Sequence, residues 1–157
     1  MNIIIRDMSE EEIPEIAVMT ANSTMGELYF KSDVKKIQRI LENANRDEKV
    51  LVAIVDKKPA GFIWFDLRGV FRIHPYVHLH FVRTDMRGQG IGRSLVEAFE
   101  SSSKEISNKT FLAVAEFNYR ASALYETLGY KQVGTIPGLY REGVAENLYM
   151  KNIGSES

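Results

Sequence analysis

Arg87-Gly88-Gln89-Gly90-Ile91-Gly92 is the stretch whose reading decides the fold. A strand-like apolar run, Tyr76 to Val82, precedes it. A helical pattern follows at once, with Ile91, Leu95, Ala98 and Phe99 on one face. Glycines at alternate positions let backbone N–H groups converge with no Cβ in the way. At a helix N-terminus those donors, together with the positive end of the helix dipole, form an anion site. Arg87 and Arg93 flank the loop and can pair with phosphate oxygens. The stretch therefore reads as a pyrophosphate cradle with its own strand and helix. It is not a Walker loop, because no Gly-Lys-Ser/Thr follows. Nor is it the dinucleotide fingerprint: Gly88-x-Gly90-x-x-Arg93 lacks the third Gly or Ala, and no N-terminal βαβ unit surrounds it. Taken alone, the glycine spacing also fits a plain strand-to-helix turn, so the rest of the chain has to decide.

Outward from the loop, the segments alternate in type. Ile3, Ile4 and Ile5 read as a buried first strand. Ser9-x-x-Glu12 has capping-box spacing, with Met8 and Ile13 placed for a hydrophobic staple, although Pro14 moves the helix start towards itself. Gly26 to Tyr29 reads as a loop. Val34, Ile37, Ile40, Leu41 and Ala44 form the apolar face of a second helix. Val50 to Val55 and Ala60 to Leu67 are strands around an Asp56-Lys57-Lys58-Pro59 turn. The strand ending at Val82, the loop, and a third helix to about Ser102 follow. Thr110 to Ala115 is another strand. Asn118 and Tyr119 open a short helix over Arg120 to Leu128, which Gly129 closes. Tyr130 to Ile136 and Ala145 to Met150 are the last strands, joined through Pro137-Gly138. The order is β-α-α-β-β-β-α-β-α-β-β, a mixed α/β class with a largely antiparallel twisted sheet and helices on both faces.

Composition narrows the function classes. The chain has 157 residues, suited to one domain over residues 1–152 with a flexible tail over 153–157. It is 45% hydrophobic and 26% charged with a net charge of −1, so nothing draws it globally to nucleic acid or to an anionic membrane. It has no cysteine, which excludes disulfides, thiolate nucleophiles and Cys-based metal sites. The N-terminus lacks a signal-peptide pattern, and no apolar run is long enough to span a bilayer. A cytoplasmic location is expected.

Two segments then resemble one family. The first is Phe81-Val82-Arg83-Thr84-Asp85-Met86-Arg87-Gly88-Gln89-Gly90-Ile91-Gly92-Arg93, with Arg87-x-x-Gly90-x-Gly92 five residues beyond a strand valine. The second is Asn118-x-x-Ala121-x-x-Leu124-Tyr125-Glu126-x-Leu128-Gly129-Tyr130. Both, in this order and within this succession of elements, resemble the GNAT superfamily of acyl-CoA-dependent N-acetyltransferases across nearly the whole chain. The resemblance implies that strands four and five part at a bulge to admit the pantetheine arm of acetyl-CoA. The backbone of Val82, Arg83 and Thr84 would meet that arm, and the amides of Arg87, Gly88, Gln89, Gly90, Ile91, Gly92 and the neighbouring Arg93 would hold the pyrophosphate. Asn118 would contact the cofactor, and Tyr125 would lie beside the thioester sulfur.

Acetyl transfer to an amine needs a deprotonated amine, donors for the oxyanion and a proton for the leaving thiolate. By family position, Tyr125 is the thiolate acid and the backbone amide of His80 polarises the thioester carbonyl. His78 and His80 are two apart, so a regular strand turns both to one side, which Tyr76 shares. His78 aligns with a strand-four histidine of arylalkylamine N-acetyltransferases and is the candidate base. Other branches carry a glutamate at the position of Tyr76, from which this chain departs. Glu116 and ordered water are the alternative bases. His74, His78 and His80 lack an evident further ligand, so no metal is expected. Acceptor contacts are sought in Met25 to Phe30 and Gly138 to Arg141, with Tyr29, Phe30, Trp64, Tyr140, Glu27 and Glu142 as candidates. The expected partners are acetyl-CoA and an amine acceptor, with the chain a monomer or homodimer. Its last strand is the edge that pairing would cover. A catalytically inactive acyl-CoA-binding module is the alternative, and a nucleotide-phosphate binder a weaker one.

Overall fold

A computed structural model describes residues 1–154. Its strands are β1 (Ile3–Asp7), β2 (Lys49–Val55), β3 (Lys58–Val70), β4 (His74–Val82), β5 (Lys109–Ala115), β6 (Lys131–Arg141) and β7 (Val144–Asn152). The α-helices are α1 (Ile13–Ala21), α2 (Thr24–Phe30), α3 (Val34–Asp47), α4 (Ile91–Ser103) and α5 (Tyr119–Thr127). The strands hydrogen-bond in the order β1-β2-β3-β4-β5-β7-β6. β1–β2, β2–β3, β5–β7 and β6–β7 are antiparallel, and β4–β5 is parallel. This is the mixed, largely antiparallel α/β fold that the element order implied. No helix among the described residues is long and apolar enough to cross a membrane.

The chain divides into two compact units, one of Met1–Phe65 with Leu79–Phe99, the other of Asp66–His78 with Glu100 onward. The first unit is built on a core of Ile13, Ile16, Ile37, Leu41, Val52, Phe62 and Phe81. α1 begins one residue before Pro14, which needs no N–H in the first turn. The Ser9 N–H donates to Glu12 Oε1 at 2.9 Å, and Met8 and Ile13 are both buried, as the capping and staple spacing implied. Gly61 lets β3 approach β4 closely: a Cβ there would lie 2.4 Å from the Phe81 carbonyl oxygen.

The second unit owes much of its order to the end of α5. Gly129 takes φ +99°, its N–H donates to the Glu126 carbonyl, and the Tyr130 N–H donates to the Tyr125 carbonyl. That is a Schellman closure, and the rings of Tyr125 and Tyr130 pack at 6.0 Å between centroids as its hydrophobic contact. The Tyr130 hydroxyl donates to Glu100 Oε2 at 2.9 Å and shares a 2.9 Å bond with Thr110, while Lys151 Nζ lies 3.0 Å from Glu100 Oε1. The Ile153 N–H donates to the Asn108 carbonyl at 2.8 Å. The remainder of the expected tail, 155–157, lies outside the described residues.

Four readings are corrected. Gly26 to Tyr29 is not a loop but the body of α2, capped by Ser23 Oγ accepting from the Gly26 N–H at 3.0 Å. Glycine reads as a breaker, yet here it is demanded by packing: a Cβ on Gly26 would sit 2.0 Å from the Thr20 carbonyl oxygen. The first strand is not buried; β1 is an edge strand and leaves Ile4 50% exposed. Pro137-Gly138 does not make the last turn. Both lie inside β6, where the register shifts, and the turn is Glu142-Gly143, with Gly143 at φ +82°. The final strand is not an edge either: β7 lies between β5 and β6, and β6, with its proline and irregular register, is the edge.

Candidate functional site

The cradle stretch lies wholly in the first unit. After β4 the chain makes a 3-10 turn over Thr84–Met86, then the loop, then α4. Gly88 and Gly90 take φ +79° and +87°, and a Cβ on either would meet no protein atom within 4 Å. Their glycine identity therefore answers to backbone conformation and open space, not to crowding by the protein. The Ser94 N–H donates to the Gly90 carbonyl at 3.0 Å, which starts the helical ladder. The amides of Ile91, Gly92 and Arg93 precede that first bond and have no carbonyl a turn back within the helix. Ile91 is buried and pins the helix start, while Gln89 and Arg93 are exposed.

The strand end is fastened to its neighbour. The Arg83 N–H donates to the Ala60 carbonyl at 2.8 Å, so β4 stays attached to β3 to its last residues. Main-chain groups alternate in direction along a strand, so those of Val82 turn away from β3. The Arg83 guanidinium is held by both oxygens of Asp85, at 2.8 Å each, and Arg87 Nε donates to the Val82 carbonyl at 3.4 Å. The His80 ring is half-buried with Nε2 shielded from solvent. Burial pushes its imidazole down to about 4, against an opposing hydrogen bond that the ring donates to the Gly92 backbone. That bond links β4 to the first turn of α4, a tie with no signature along the chain.

Asn118, Tyr125, Glu116, His74 and His78 lie in the second unit. Asn118 caps α5: its Oδ1 accepts from the Ala121 N–H at 3.1 Å, and its own N–H donates to Ala115. Tyr125 is buried on α5, and burial holds its phenol above the ordinary tyrosine range. A phenol kept protonated in this way can donate a proton to a thiolate. Glu116, an alternative base, lies just past β5, where its Oε2 accepts from the Ala145 N–H at 3.0 Å. His74 Nδ1 is 2.6 Å from Ser107 Oγ. His78 is half-buried, with its ring set edge-on to Tyr76 at 5.1 Å. The Tyr76 and Tyr140 hydroxyls hydrogen-bond to each other. Burial, each other and the carboxylate of Glu146 hold Tyr76 above the ordinary tyrosine range.

Glu146 is the residue that sequence reasoning missed. It is 3% exposed, the only buried carboxylate among the described residues. Its signal was in the alternation of β7, where Glu146 stands in phase with Leu148 and Met150. Of the aromatic acceptor candidates, Tyr140 joins Tyr76, whereas Trp64 Nε1 donates to Glu48 in the first unit at 2.6 Å.

Known proteins bear on both units. The family model for the acetyltransferase (GNAT) domain matches residues 4–148. A search of curated proteins returns no match. Among solved structures, PH1933 from Pyrococcus horikoshii OT3 is 25% identical with a TM-score of 0.78, over 96% of this chain and 98% of that one. The ribosomal-protein-alanine N-acetyltransferase of Brucella melitensis is 22% identical with a TM-score of 0.76, over 95% and 99%. The ribosomal-protein-S18-alanine N-acetyltransferase of Escherichia coli is 18% identical with a TM-score of 0.78, over 99% and 97%. The last two likenesses are of fold alone. The family match spans β1 into β7 and takes in both the glycine loop and the Asn118–Tyr130 segment: the chain belongs to the GNAT acetyltransferase family.

Proposed function

We propose that the protein is an N-acetyltransferase that moves an acetyl group from acetyl-CoA to a primary amine of a small molecule, peptide or protein by direct attack in a ternary complex. The observation that carries this reading is the opening of α4: two glycines at positive φ, open space where their Cβ atoms would stand, and first-turn amides that have no acceptor within the helix. Such a loop accepts a diphosphate through the backbone of residues 87–92, with Arg87 and Arg93 supplying positive charge. Val82, Arg83 and Thr84 serve the pantetheine arm.

The chemistry divides among few groups. The His80 amide polarises the thioester carbonyl, while its side chain, neutral at physiological pH, fastens the helix start. His78 accepts the proton from the acceptor ammonium, directly or through water. Tyr125, protonated at neutral pH, supplies a proton to the departing thiolate. With no cysteine in the chain, the acetyl group passes without an acyl-cysteine intermediate.

Calorimetric titration with acetyl-CoA, CoA and ATP tests the donor. Saturable one-site binding of both CoA species with weak ATP is expected, followed by amine-dependent thiol release. ATP binding tighter than CoA refutes the assignment. CoA binding without thiol release to any amine makes the chain a binding module.

A further inference from the structure

The registers in the second unit put an unusual group of residues on one face of the sheet. Tyr76 pairs with Phe111, Phe111 with Met150, Ala113 with Leu148, and Ala115 with Glu146. Directly opposed residues project to the same side and alternate residues share it. Tyr76, His78, Ala113, Ala115 and Glu146 therefore share one face. The opposite face carries Tyr149, whose hydroxyl bonds Glu126 on α5, and Lys151, which bonds Glu100. So α5 packs on that other side.

On the first face, Ala113 and Ala115 end at Cβ and leave a shallow floor between larger neighbours. The Glu146 carboxylate stands beside this floor. Tyr140, 51% exposed, reaches from the edge strand to bond the Tyr76 hydroxyl, and the field of Glu146 acts on both phenols. A negative charge, two phenol oxygens and aromatic ring faces around a small-residue floor suit an alkylammonium. The charge attracts it, the oxygens accept its N–H bonds, and the rings favour a cation over their faces. A carboxylate substrate would meet repulsion here, and a neutral alcohol would gain no attraction from the charge.

We propose that Glu146, with the hydroxyls of Tyr76 and Tyr140, binds the ammonium group of the acceptor, so that the acceptors are cationic amines with an apolar or aromatic body. The inference rests on reading the chain as an amine acetyltransferase. It assigns recognition to Glu146 and leaves proton removal to His78, which sits edge-on to Tyr76 on the same face.

The test is calorimetric binding of benzylamine, with benzyl alcohol as its neutral counterpart, to the full chain with and without saturating CoA. The wild-type protein is expected to bind benzylamine and not the alcohol. Glu146→Gln, which keeps shape but removes charge, should weaken benzylamine about tenfold or more and leave CoA affinity as it was. Tyr140→Phe, at an exposed ring, should weaken benzylamine several-fold and keeps the test usable should Glu146→Gln not fold. Equal benzylamine affinity in wild type and variants overturns the proposal. So does equal binding of the alcohol, or absence of benzylamine binding. Failure of CoA to bind instead refutes the acetyltransferase reading, and benzylamine binding without CoA still judges Glu146.

Discussion

Gly90→Ala separates a glycine kept for a ligand from one kept for the fold. Gly90 sits at φ +87°, and an added Cβ would touch nothing within 4 Å. The folded protein therefore loses only the backbone term, about 1–2 kcal/mol for an L-residue in the left-handed region. For 157 residues that is a fall in Tm of about 2–8 °C. Gly143, in the β6–β7 turn, is a matched control: φ is +82° and the space is equally open. Gly143→Ala should cost about the same stability. The two variants should diverge in CoA binding. At Gly90 the methyl group enters the volume assigned to the diphosphate and holds it off the amides. Each charge-assisted hydrogen bond lost is worth about 1.5–3 kcal/mol, or about 10- to 150-fold in affinity. The assay is thermal melting of both variants beside calorimetric titration with CoA. Similar melting temperatures with a CoA defect in Gly90→Ala alone is the expected result. If Gly90→Ala binds CoA as tightly as Gly143→Ala does, the cradle is only a turn.

Further expectations follow from other groups. Tyr125→Phe should lower kcat about a hundredfold or more at unchanged CoA affinity, read by single-turnover thiol release; an unaltered kcat removes Tyr125 from the acid role. His78→Gln should abolish the acidic limb of the pH–rate profile for the amine, and an identical profile excludes it as base. The unfolded His80 imidazole titrates near 6.5, the folded one only at about 4. The unfolded chain thus binds the extra proton in between, and stability present above pH 6.5 is lost as pH falls towards 4, at up to about 1.4 kcal/mol per pH unit. His80→Leu should flatten that slope in denaturant melts between pH 4 and 7, and an unchanged slope contradicts the burial argument. Gly61→Ala, with its Cβ 2.4 Å from a backbone oxygen, should destabilise by about 1–3 kcal/mol, and a wild-type melting temperature would show that β3 and β4 yield freely.

Much of this protein was legible along the chain because its signals are local. Alternate glycines before a 3.6-residue apolar pattern specify a strand-loop-helix, and α4 starts at Ile91 as that pattern requires. Asn118 and Gly129 mark the ends of α5 through side-chain and backbone hydrogen bonds made within a few residues. What the sequence could not reveal depends on which segments meet. Gly26 looks like a breaker until the Thr20 carbonyl is seen to leave it no room. β7 looks like an edge until β6 folds outside it, because a hairpin's two strands read alike and only the sheet decides which pairs inward. Glu146 looks like an ordinary surface charge. Its register against Ala115, and the long reach of Tyr140 to Tyr76, place a carboxylate on a buried face, and burial is a property of tertiary contacts that no periodicity encodes.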